Sequence, residues 1–435
     1  MNTNGGDTRG VARWPIASLL VVLVVAALVA GNGGGATSAR VRRTAADAVA
    51  MPAASARSAA WYCAGPPPSA SLSSARERVR VSNLENRPVD VAVTLLRDKK
   101  SEVRRSIVVP ARSAVDAAPA GRAAEGGAVI VEPFASRVVV DATNSGRNAL
   151  ASAPCATRPS SVWHFAAGTT VRGVEQWVVL LNPFGDDAVV DVSFFTDGGA
   201  ENPGELQSLT VPRRSRIAIQ VDQKVLRQRS VATTIHARVG RIVAQQTLLF
   251  GPDSGRSGET RSLGAVAAAN EWVFPSGRTA AGEVRTIAIS NPGDLDAEVD
   301  VSVAPASDVV IEPATVRVPR HTVANVQIGG CGNVQPPACL PVPPNVAYSA
   351  AVRATLQVPV VAEDLTTYTS GRFTGAVAGL GSRAPSRAWV FARSRLPAEL
   401  DAGLDLLTTA GSAAKASVSF QVNGKELKPP DLQGL

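Results

Sequence analysis

The three histidines are the only imidazole groups in the 435 residues, and their spacing forms no catalytic pair. His164 stands inside a Trp-x-Phe segment, His236 in a predicted strand and His321 in a predicted turn. A general base needs a partner that orients it, and none of the three has one at a recognisable spacing. The chain also contains no G-x-S-x-G, Walker A, H-E-x-x-H or EF-hand pattern. We therefore predict no catalytic residue, no cofactor and no metal site.

Acidic side chains gather at two places where calcium could bind. Asp296, Glu298 and Asp300 alternate along one predicted strand, and the loop from Thr196 to Glu205 is acidic and rich in glycine. Calcium, however, usually takes ligands that converge from one loop. We interpret the strand carboxylates as a solvated face and the loop as a hairpin turn.

Two features could bind an envelope ligand. Arg213, Arg214 and Arg216 follow a proline and could receive an anionic glycan or a lipid head group. Trp177 lies outside both the leader and the repeat described below, and an exposed indole could stack on a sugar. The alternative interpretations are exposed turn charge for the arginines and core packing for Trp177, which precedes four apolar residues.

The net charge of +8 does not indicate a nucleic-acid partner. Residues 1–60 hold six Arg against two Asp, which is +4, so the remaining 375 residues carry only the other +4. A nucleic-acid-binding protein usually concentrates basic charge on one face and places aromatic residues among it. We expect no nucleic-acid binding.

The N-terminal segment indicates export. Arg9 and Arg13 precede an apolar core, residues 16–30, which is shorter than the roughly 20 residues of a comfortable bilayer span. We predict that residues 1–31 form a signal peptide or a signal anchor. Cleavage near Ala39 would secrete the protein, whereas an uncleaved segment would hold it in the cytoplasmic membrane through residues 14–35. Residues 32–60 are small and polar, and we predict a flexible stem.

Four tryptophans, at positions 61, 163, 272 and 389, mark a repeat with spacings of 102, 109 and 117 residues. An asparagine landmark follows in the first three copies, and Thr408 stands at that place in the fourth. Beyond it, apolar and polar residues alternate in one register, which is typical of a strand with one buried face. The alternating apolar positions are Val89, Val91, Val93 and Leu95; Ala188, Val190, Val192 and Phe194; Ala297, Val299, Val301 and Val303; and Ala414, Ala416, Val418 and Phe420.

The repeat predicts an all-β protein made of tandem immunoglobulin-like β-sandwiches after an N-terminal hydrophobic segment. About seven short strands per hundred residues suit a two-sheet sandwich, whereas the period is too long for a propeller blade. We place the sandwiches at residues 61–158, 163–262 and 272–382, with a partial fourth β repeat at 389–435.

The four cysteines predict two disulfides in an exported chain. Cys63 lies in the first strand of copy one and Cys155 at the end of that copy. Cys331 and Cys339 bracket a proline-rich insertion in copy three. We predict Cys63–Cys155 and Cys331–Cys339; four free thiols are the alternative, and a Cys155–Cys331 link would change the domain boundaries.

The segment Trp61-Tyr62-Cys63-Ala64-Gly65-Pro66, followed by N-x-x-x-x-P/D-x-x-V repeats, resembles an actinobacterial exported family, the domain of unknown function 5719. The likeness covers roughly residues 61–435. It implies extracytoplasmic placement in the cell envelope, and it brings no established activity or catalytic residue.

These observations favour a non-enzymatic extracytoplasmic scaffold or binding protein, either anchored by one membrane span or secreted. Its partner would be cell-wall glycan or another envelope protein. A carbohydrate- or peptidoglycan-binding module is the alternative. An enzyme whose site is assembled between domains is a third hypothesis, because such a site converges only in space.

Overall fold

The computed structural model of the chain describes residues 56–72, 75–96, 102–117, 121–122, 127–145, 150–370, 373–391, 403–409, 413–422 and 424–435. All of them belong to one unit, Asp47–Leu435. The predicted leader and residues 32–55 of the predicted stem lie outside this described part. In the described part, no helix is long and apolar enough to cross a membrane.

The first sandwich pairs two antiparallel sheets. One has the strand order β1-β7-β3-β4 and the other β5-β2-β8-β9, with the short β6 also paired to β2. A single-turn 3-10 helix, Ala70–Leu72, precedes β2. The strands are β1 Trp61–Cys63, β2 Arg76–Asn83, β3 Val89–Leu96, β4 Glu102–Val109, β5 Ala114–Asp116, β6 Gly121–Arg122, β7 Ala128–Pro133, β8 Val138–Ser145 and β9 Leu150–Pro154.

The second sandwich repeats this arrangement. Its sheets have the orders β10-β16-β12-β13, with β14 also on β12, and β15-β11-β17-β18. The strands are β10 Val162–Phe165, β11 Val174–Asn182, β12 Ala188–Thr196, β13 Gly199–Glu201, β14 Leu209–Val211, β15 Ser215–Gln220, β16 Ala232–Val239, β17 Val243–Phe250 and β18 Gly258–Leu263. Three 3-10 turns accompany them: Gly204–Leu206, Val221–Gln223 and Pro252–Ser254.

The third sandwich has the same two-sheet order, β19-β25-β21-β22 and β24-β23-β20-β26-β27. The predicted all-β fold of tandem sandwiches is therefore confirmed. The strands are β19 Glu271–Arg278, β20 Glu283–Asn291, β21 Ala297–Pro305, β22 Ala314–Val318, β23 Thr322–Ile328, β24 Cys339–Leu340, β25 Ala347–Ala354, β26 Val361–Ser370 and β27 Phe373–Leu380.

The landmark tryptophans anchor the three cores. Trp61, Trp163 and Trp272 are at most 1 % exposed. The indole Nε1 of Trp163 donates to Ile242 O at 2.8 Å, and that of Trp272 donates to Val360 O at 2.7 Å. Each bond joins the first strand of its sandwich, β10 or β19, to the residue just before β17 or β26 in the opposite sheet. The two sheets are therefore joined through the core.

The landmark asparagines close the same turn in every sandwich. Asn182 is 1 % exposed, and its Nδ2 donates to Asp186 O at 2.8 Å and to Val211 O at 3.0 Å, while Oδ1 accepts from Phe184 N at 3.1 Å. Asn83 and Asn291 make the corresponding three bonds in their own sandwiches. A buried backbone carbonyl needs such a donor, which explains why an asparagine marks the repeat.

Both predicted disulfides are present. Cys63 in β1 is bonded to Cys155, the residue after β9, so the first and last strands of the first sandwich are linked. Cys331 and Cys339 close the proline-rich loop next to β24. Disulfides of this kind are typical of proteins in an oxidising compartment outside the cytoplasm.

The fourth copy differs from the prediction of a further half sandwich. Trp389 and Phe391 are 59 % and 62 % exposed, unlike the buried residues at the same places in the other copies. Within the described parts of 389–435, the strands are β28 Phe420–Val422 and β29 Lys425–Leu427, which form one hairpin, followed by a 3-10 turn at Pro430–Leu432. Alternation without an opposing sheet does not create a buried face, so the pattern from Ala414 onward does not build the expected strand.

Candidate functional site

Two of the predicted arginines lie in the contact between the first and second sandwiches, which we call the first joint. Arg214 Nη2 forms an ion pair with Glu102 Oε1 of β4 at 2.5 Å. Arg216 Nη1 donates to Pro66 O at 2.7 Å and to Ala64 O at 3.2 Å. Arg213 has an exposed side chain, and its backbone N–H donates to Asp187 Oδ1 at 2.8 Å. The three arginines therefore do not converge on one anion site.

Trp177 also belongs to the first joint, and its predicted alternative role as a sugar platform does not fit its position. The side chain is 9 % exposed and packs with Leu72 and Leu249. Its Nε1 donates to Glu175 Oε2 at 2.9 Å. An indole enclosed in this way has no face open to a sugar ring.

Glu175 completes this contact on the side of the second sandwich. Its two carboxylate oxygens accept hydrogen bonds from Ser69 Oγ at 2.7 Å and Ser71 Oγ at 2.5 Å. Burial opposes ionisation of Glu175, but these bonds and the one from Trp177 together hold its pKa below its usual range. The charged carboxylate thus accepts hydrogen bonds from donors in both sandwiches.

The three histidines are not brought together. His164 is buried in β10, where its Nδ1 lies 3.0 Å from Thr234 Oγ1, and burial lowers its pKa to about 4. His236 is exposed on β16. His321 stacks on Phe195 with ring centroids 5.3 Å apart. No pair of these imidazoles is arranged as base and orienting group.

The strand carboxylates are engaged by donors of the protein itself. Asp296 pairs with Arg317 at 2.7 Å, and Asp300 accepts from Thr315 Oγ1 at 2.7 Å. Glu298 accepts from Thr355 Oγ1 at 3.0 Å. Across the described ranges, no group of three or more His, Cys, Asp or Glu side chains is placed to hold a metal ion. The loop from Thr196 to Glu205 contains β13, which pairs with β12 as a hairpin.

One basic residue at the same turn of each sandwich contacts another part of the chain. Arg112, Arg214 and His321 each stand two residues after a proline and have φ angles of 50°, 50° and 55°. Arg214 contacts the first sandwich and His321 contacts Phe195 of the second. Arg112, in the first sandwich, has the C-terminal hairpin as its partner: its Nη1 lies 2.7 Å from Glu426 Oε2. The hairpin therefore covers the turn that elsewhere meets the preceding sandwich.

Glu363 of β26 is the main polar group in the contact between the second and third sandwiches, the second joint. It is fully buried, and its Oε2 accepts hydrogen bonds from the backbone N–H groups of Ala166 and Ala167, both at 2.8 Å. Burial raises the pKa of Glu363 to about 8, although the two N–H groups act in the opposite direction. Ala166 and Ala167 also pack into the apolar core of the third sandwich.

Sequence reasoning missed Glu363, although the repeat carries a signal for it. Equivalent positions in strands β8, β17 and β26 are occupied by Asp141, Gln245 and Glu363, and all three are buried. They pair with Arg80, Val179 and Ala288 of the neighbouring strands. A polar residue at a buried position in all three copies indicates a structural contact, but the sequence does not reveal the partner.

Strand β18 places a second set of buried charges at the centre of the molecule. It lies beside β9 of the first sandwich and β27 of the third. Arg261, whose side chain is fully buried, pairs with Glu77 at 3.3 Å, and Glu259 accepts from Asn144 Nδ2 at 2.7 Å. Burial raises the pKa of both carboxyls, against the attraction of Arg261. At Gly258 a Cβ would lie 2.9 Å from Gly375 Cα, so a glycine permits the close approach of β27.

A cleft of about 200 Å³ lies at the second joint. The β10–β11 loop, the loop before β16 and the β17–β18 turn form its walls on the second sandwich. Strands β20, β23 and β26 form its wall on the third. Two arginines that sequence reasoning did not single out, Arg229 and Arg256, line it together with Thr169, Ser254, Thr286 and Asn325.

The repeated topology and the polar joints define a protein of tandem, interlocked β-sandwiches. The chain belongs to the family of unknown function DUF5719, whose model matches residues 109–426. The match begins at the last residue of β4, so the Trp61-Tyr62-Cys63 segment that first indicated the family lies before it.

No curated protein matches the chain. Among solved structures, the crystal structure of Thermotoga maritima 1070 is similar to 27 % of this chain, with 17 % sequence identity, 96 % of that chain covered and a TM-score of 0.23. A TM-score of this size does not establish a shared fold.

Proposed function

We propose that the protein is a non-enzymatic extracytoplasmic scaffold of the cell envelope. The observation that carries this proposal is that two of the arginines predicted to bind a ligand, and two glutamates that the structure brings to light, are engaged in joints between sandwiches. Arg214, Arg216 and Glu175 bond across the first joint, and Glu363 bonds across the second. Polar contacts that are satisfied across domains favour one relative arrangement of the domains.

The location is part of the same proposal. The disulfides support an oxidising compartment, and the apolar core at residues 16–30 supports export. We propose that this segment either holds the sandwiches at the outer face of the cytoplasmic membrane or is removed on secretion. Envelope glycan or another envelope protein would then be the partner. The alternative of a carbohydrate-binding module loses Trp177 as a sugar platform, because that side chain is enclosed in the first joint.

The side of the membrane on which the sandwiches lie is tested in intact cells by labelling a single added cysteine. Ser307 is exposed on the third sandwich, so a Ser307→Cys variant of the full chain should react with a membrane-impermeant maleimide before the cells are broken. The parent chain is the control, because its described cysteines are all in disulfides. Reaction only after lysis would contradict an extracytoplasmic position.

The scaffold role is tested on the purified full-length protein in detergent. Spin labels at Ser106→Cys and Ser307→Cys, both exposed, should give one narrow distance distribution, because the joints fix the first sandwich relative to the third. A broad distribution would contradict a fixed scaffold. Hydrolysis of purified cell wall that disappears with a single side-chain substitution would overturn the non-enzymatic assignment.

A further inference from the structure

The cleft at the second joint has a positive lining without a compensating acid. Among the described residues that line it, two are arginines and none is Asp or Glu. Arg229 is exposed and Arg256 half-buried, and neither forms an ion pair with a described residue. Asp253, in the turn that precedes Arg256, pairs with Arg172 at 3.4 Å, and the buried Glu363 accepts from the backbone N–H of the lining residue Ala167. Two guanidinium groups are thus available to a ligand that enters the cleft.

The loop that carries Arg229 is fixed on both sides of that residue. Gln228 N–H donates to Thr170 Oγ1 at 2.9 Å, and Asn325 Nδ2 of the third sandwich donates to Ser230 Oγ at 2.6 Å. Val231 N–H donates to Gly168 O at 2.9 Å. A backbone ordered before binding lowers the entropic cost of holding a ligand.

The second arginine follows an equally defined turn. Ser254 Oγ donates to Gly251 O at 2.7 Å, and Gly255 adopts a φ of 73°, which a glycine accepts without strain. Arg256 comes directly after this turn. The two arginines therefore reach the cleft from two separately ordered loops.

The remaining lining divides the cleft into an apolar floor and a polar rim. Val174, Phe250, Ala288 and Leu365 supply carbon surface, and the hydroxyl oxygens of Thr169, Ser254 and Thr286 supply polar atoms. The hydroxyls of Thr169 and Ser254 already donate to Gln228 O and Gly251 O, so Arg229 and Arg256 are the charged donors of the cleft. Guanidinium groups bind tetrahedral oxyanions, and the carbon surface suits the CH groups of a small organic residue.

We propose that this cleft binds an organic phosphate, a phosphate ester carried on a small polyol or sugar, with Arg229 and Arg256 holding the phosphate. This proposal goes beyond the scaffold role, and the two can fail separately. Absence of phosphate binding would leave the scaffold proposal standing. A flexible arrangement of the sandwiches would contradict the scaffold proposal but not a measured phosphate affinity.

The test is calorimetric titration of the full-length protein with glycerol 3-phosphate, with glycerol and inorganic phosphate titrated separately. Glycerol 3-phosphate should bind more tightly than either part. Arg229→Gln combined with Arg256→Gln should weaken binding by about tenfold or more, because two charged hydrogen-bonding partners are lost. Arg227→Gln is the matched control: this exposed arginine is on the same loop but outside the cleft, and its loss should change affinity less than about twofold.

The source of the phosphate is assigned with vesicles. Retention on phosphatidylglycerol vesicles that exceeds retention on phosphatidylcholine vesicles, and that falls in the double variant, would identify a lipid head group. Binding of soluble glycerol 3-phosphate without that difference would identify a soluble or polymer-borne phosphate. Undiminished affinity in the double variant, equal binding of glycerol, or no heat up to about 10 mM ligand would overturn the proposal.

Discussion

The carboxylate of Glu363 in the third sandwich accepts a hydrogen bond from the backbone N–H of Ala167 in the second, at 2.8 Å. The same oxygen accepts from Ala166 N–H, so one side chain satisfies two backbone donors of another domain. This contact is fully buried. It makes the second joint part of the folded core and gives it a titratable group.

Stability should fall as the pH rises through the neutral range, and Glu363 should contribute to that fall. Its pKa is about 8 in the folded protein, against 4.5 for an ordinary glutamate side chain. Between these values the folded chain binds a proton that the unfolded chain has released, so raising the pH favours unfolding. Glu363→Gln should flatten the decline in unfolding free energy between about pH 5 and about pH 9.

The measurement is urea unfolding at several pH values, with Glu312→Gln, an exposed carboxylate on the third sandwich, as control. Glu77, Glu259 and Asp364 also have raised pKa values because of burial, so part of the decline should remain. An identical pH slope in Glu363→Gln and the parent protein would show that Glu363 titrates normally.

Removing a landmark asparagine should destabilise its sandwich strongly. Asn182→Ala leaves the buried carbonyl of Val211 without its donor, which we expect to cost about 3 kcal/mol. Asn182→Asp should cost a similar amount, because a carboxylate keeps the bond from Phe184 N–H but cannot donate. Chemical unfolding checks both, and Asn202→Ala, at an exposed position, should change stability by less than about 0.5 kcal/mol. A mild effect of the aspartate variant would argue against the donor role.

The two disulfides should differ in their contribution to stability. The sequence separation is 92 residues for Cys63–Cys155 and 8 for Cys331–Cys339. Loop-closure entropy predicts about 4.5 kcal/mol for the first and about 2.5 kcal/mol for the second. The paired alanine variants should therefore rank in that order in thermal unfolding. The reverse order would mean that local strain or residual structure in the unfolded chain dominates.

Breaking the Arg112–Glu426 ion pair should free the C-terminal hairpin without unfolding the first sandwich. Arg112→Gln removes the charge that faces Glu426 and should increase deuterium uptake in residues 424–435, while uptake in β2 and β8 stays unchanged. Arg104→Gln, which disturbs an exposed ion pair with Glu132 at 3.7 Å, serves as control. Equal protection of the hairpin in both variants would show that the Arg112 contact does not hold it.

Sequence reasoning predicted the sandwiches because their signals are local. The alternation at Val190, Val192 and Phe194 is imposed by one buried sheet face, and these residues are fully buried. The same alternation from Ala414 onward did not give the same strand, because burial depends on an opposing sheet that the pattern itself does not encode.

The joints could not be predicted in the same way. Arg214 and Glu102 are 112 residues apart, and Glu363 and Ala167 are 196 residues apart. No local pattern in the sequence links the two partners of either pair, and only the packing of one sandwich on the next brings them together. The arginines of the cleft, Arg229 and Arg256, were missed for the same reason.

The contact of Arg112 with the C-terminal hairpin also limits how copies of this molecule can associate. In the second and third sandwiches the equivalent turn meets a neighbour earlier in the chain, whereas in the first sandwich Arg112 pairs with Glu426 of the C-terminal hairpin. A second molecule that stacked end to end through this turn would first have to displace the hairpin. The C-terminal hairpin of the protein therefore opposes filament growth by that route.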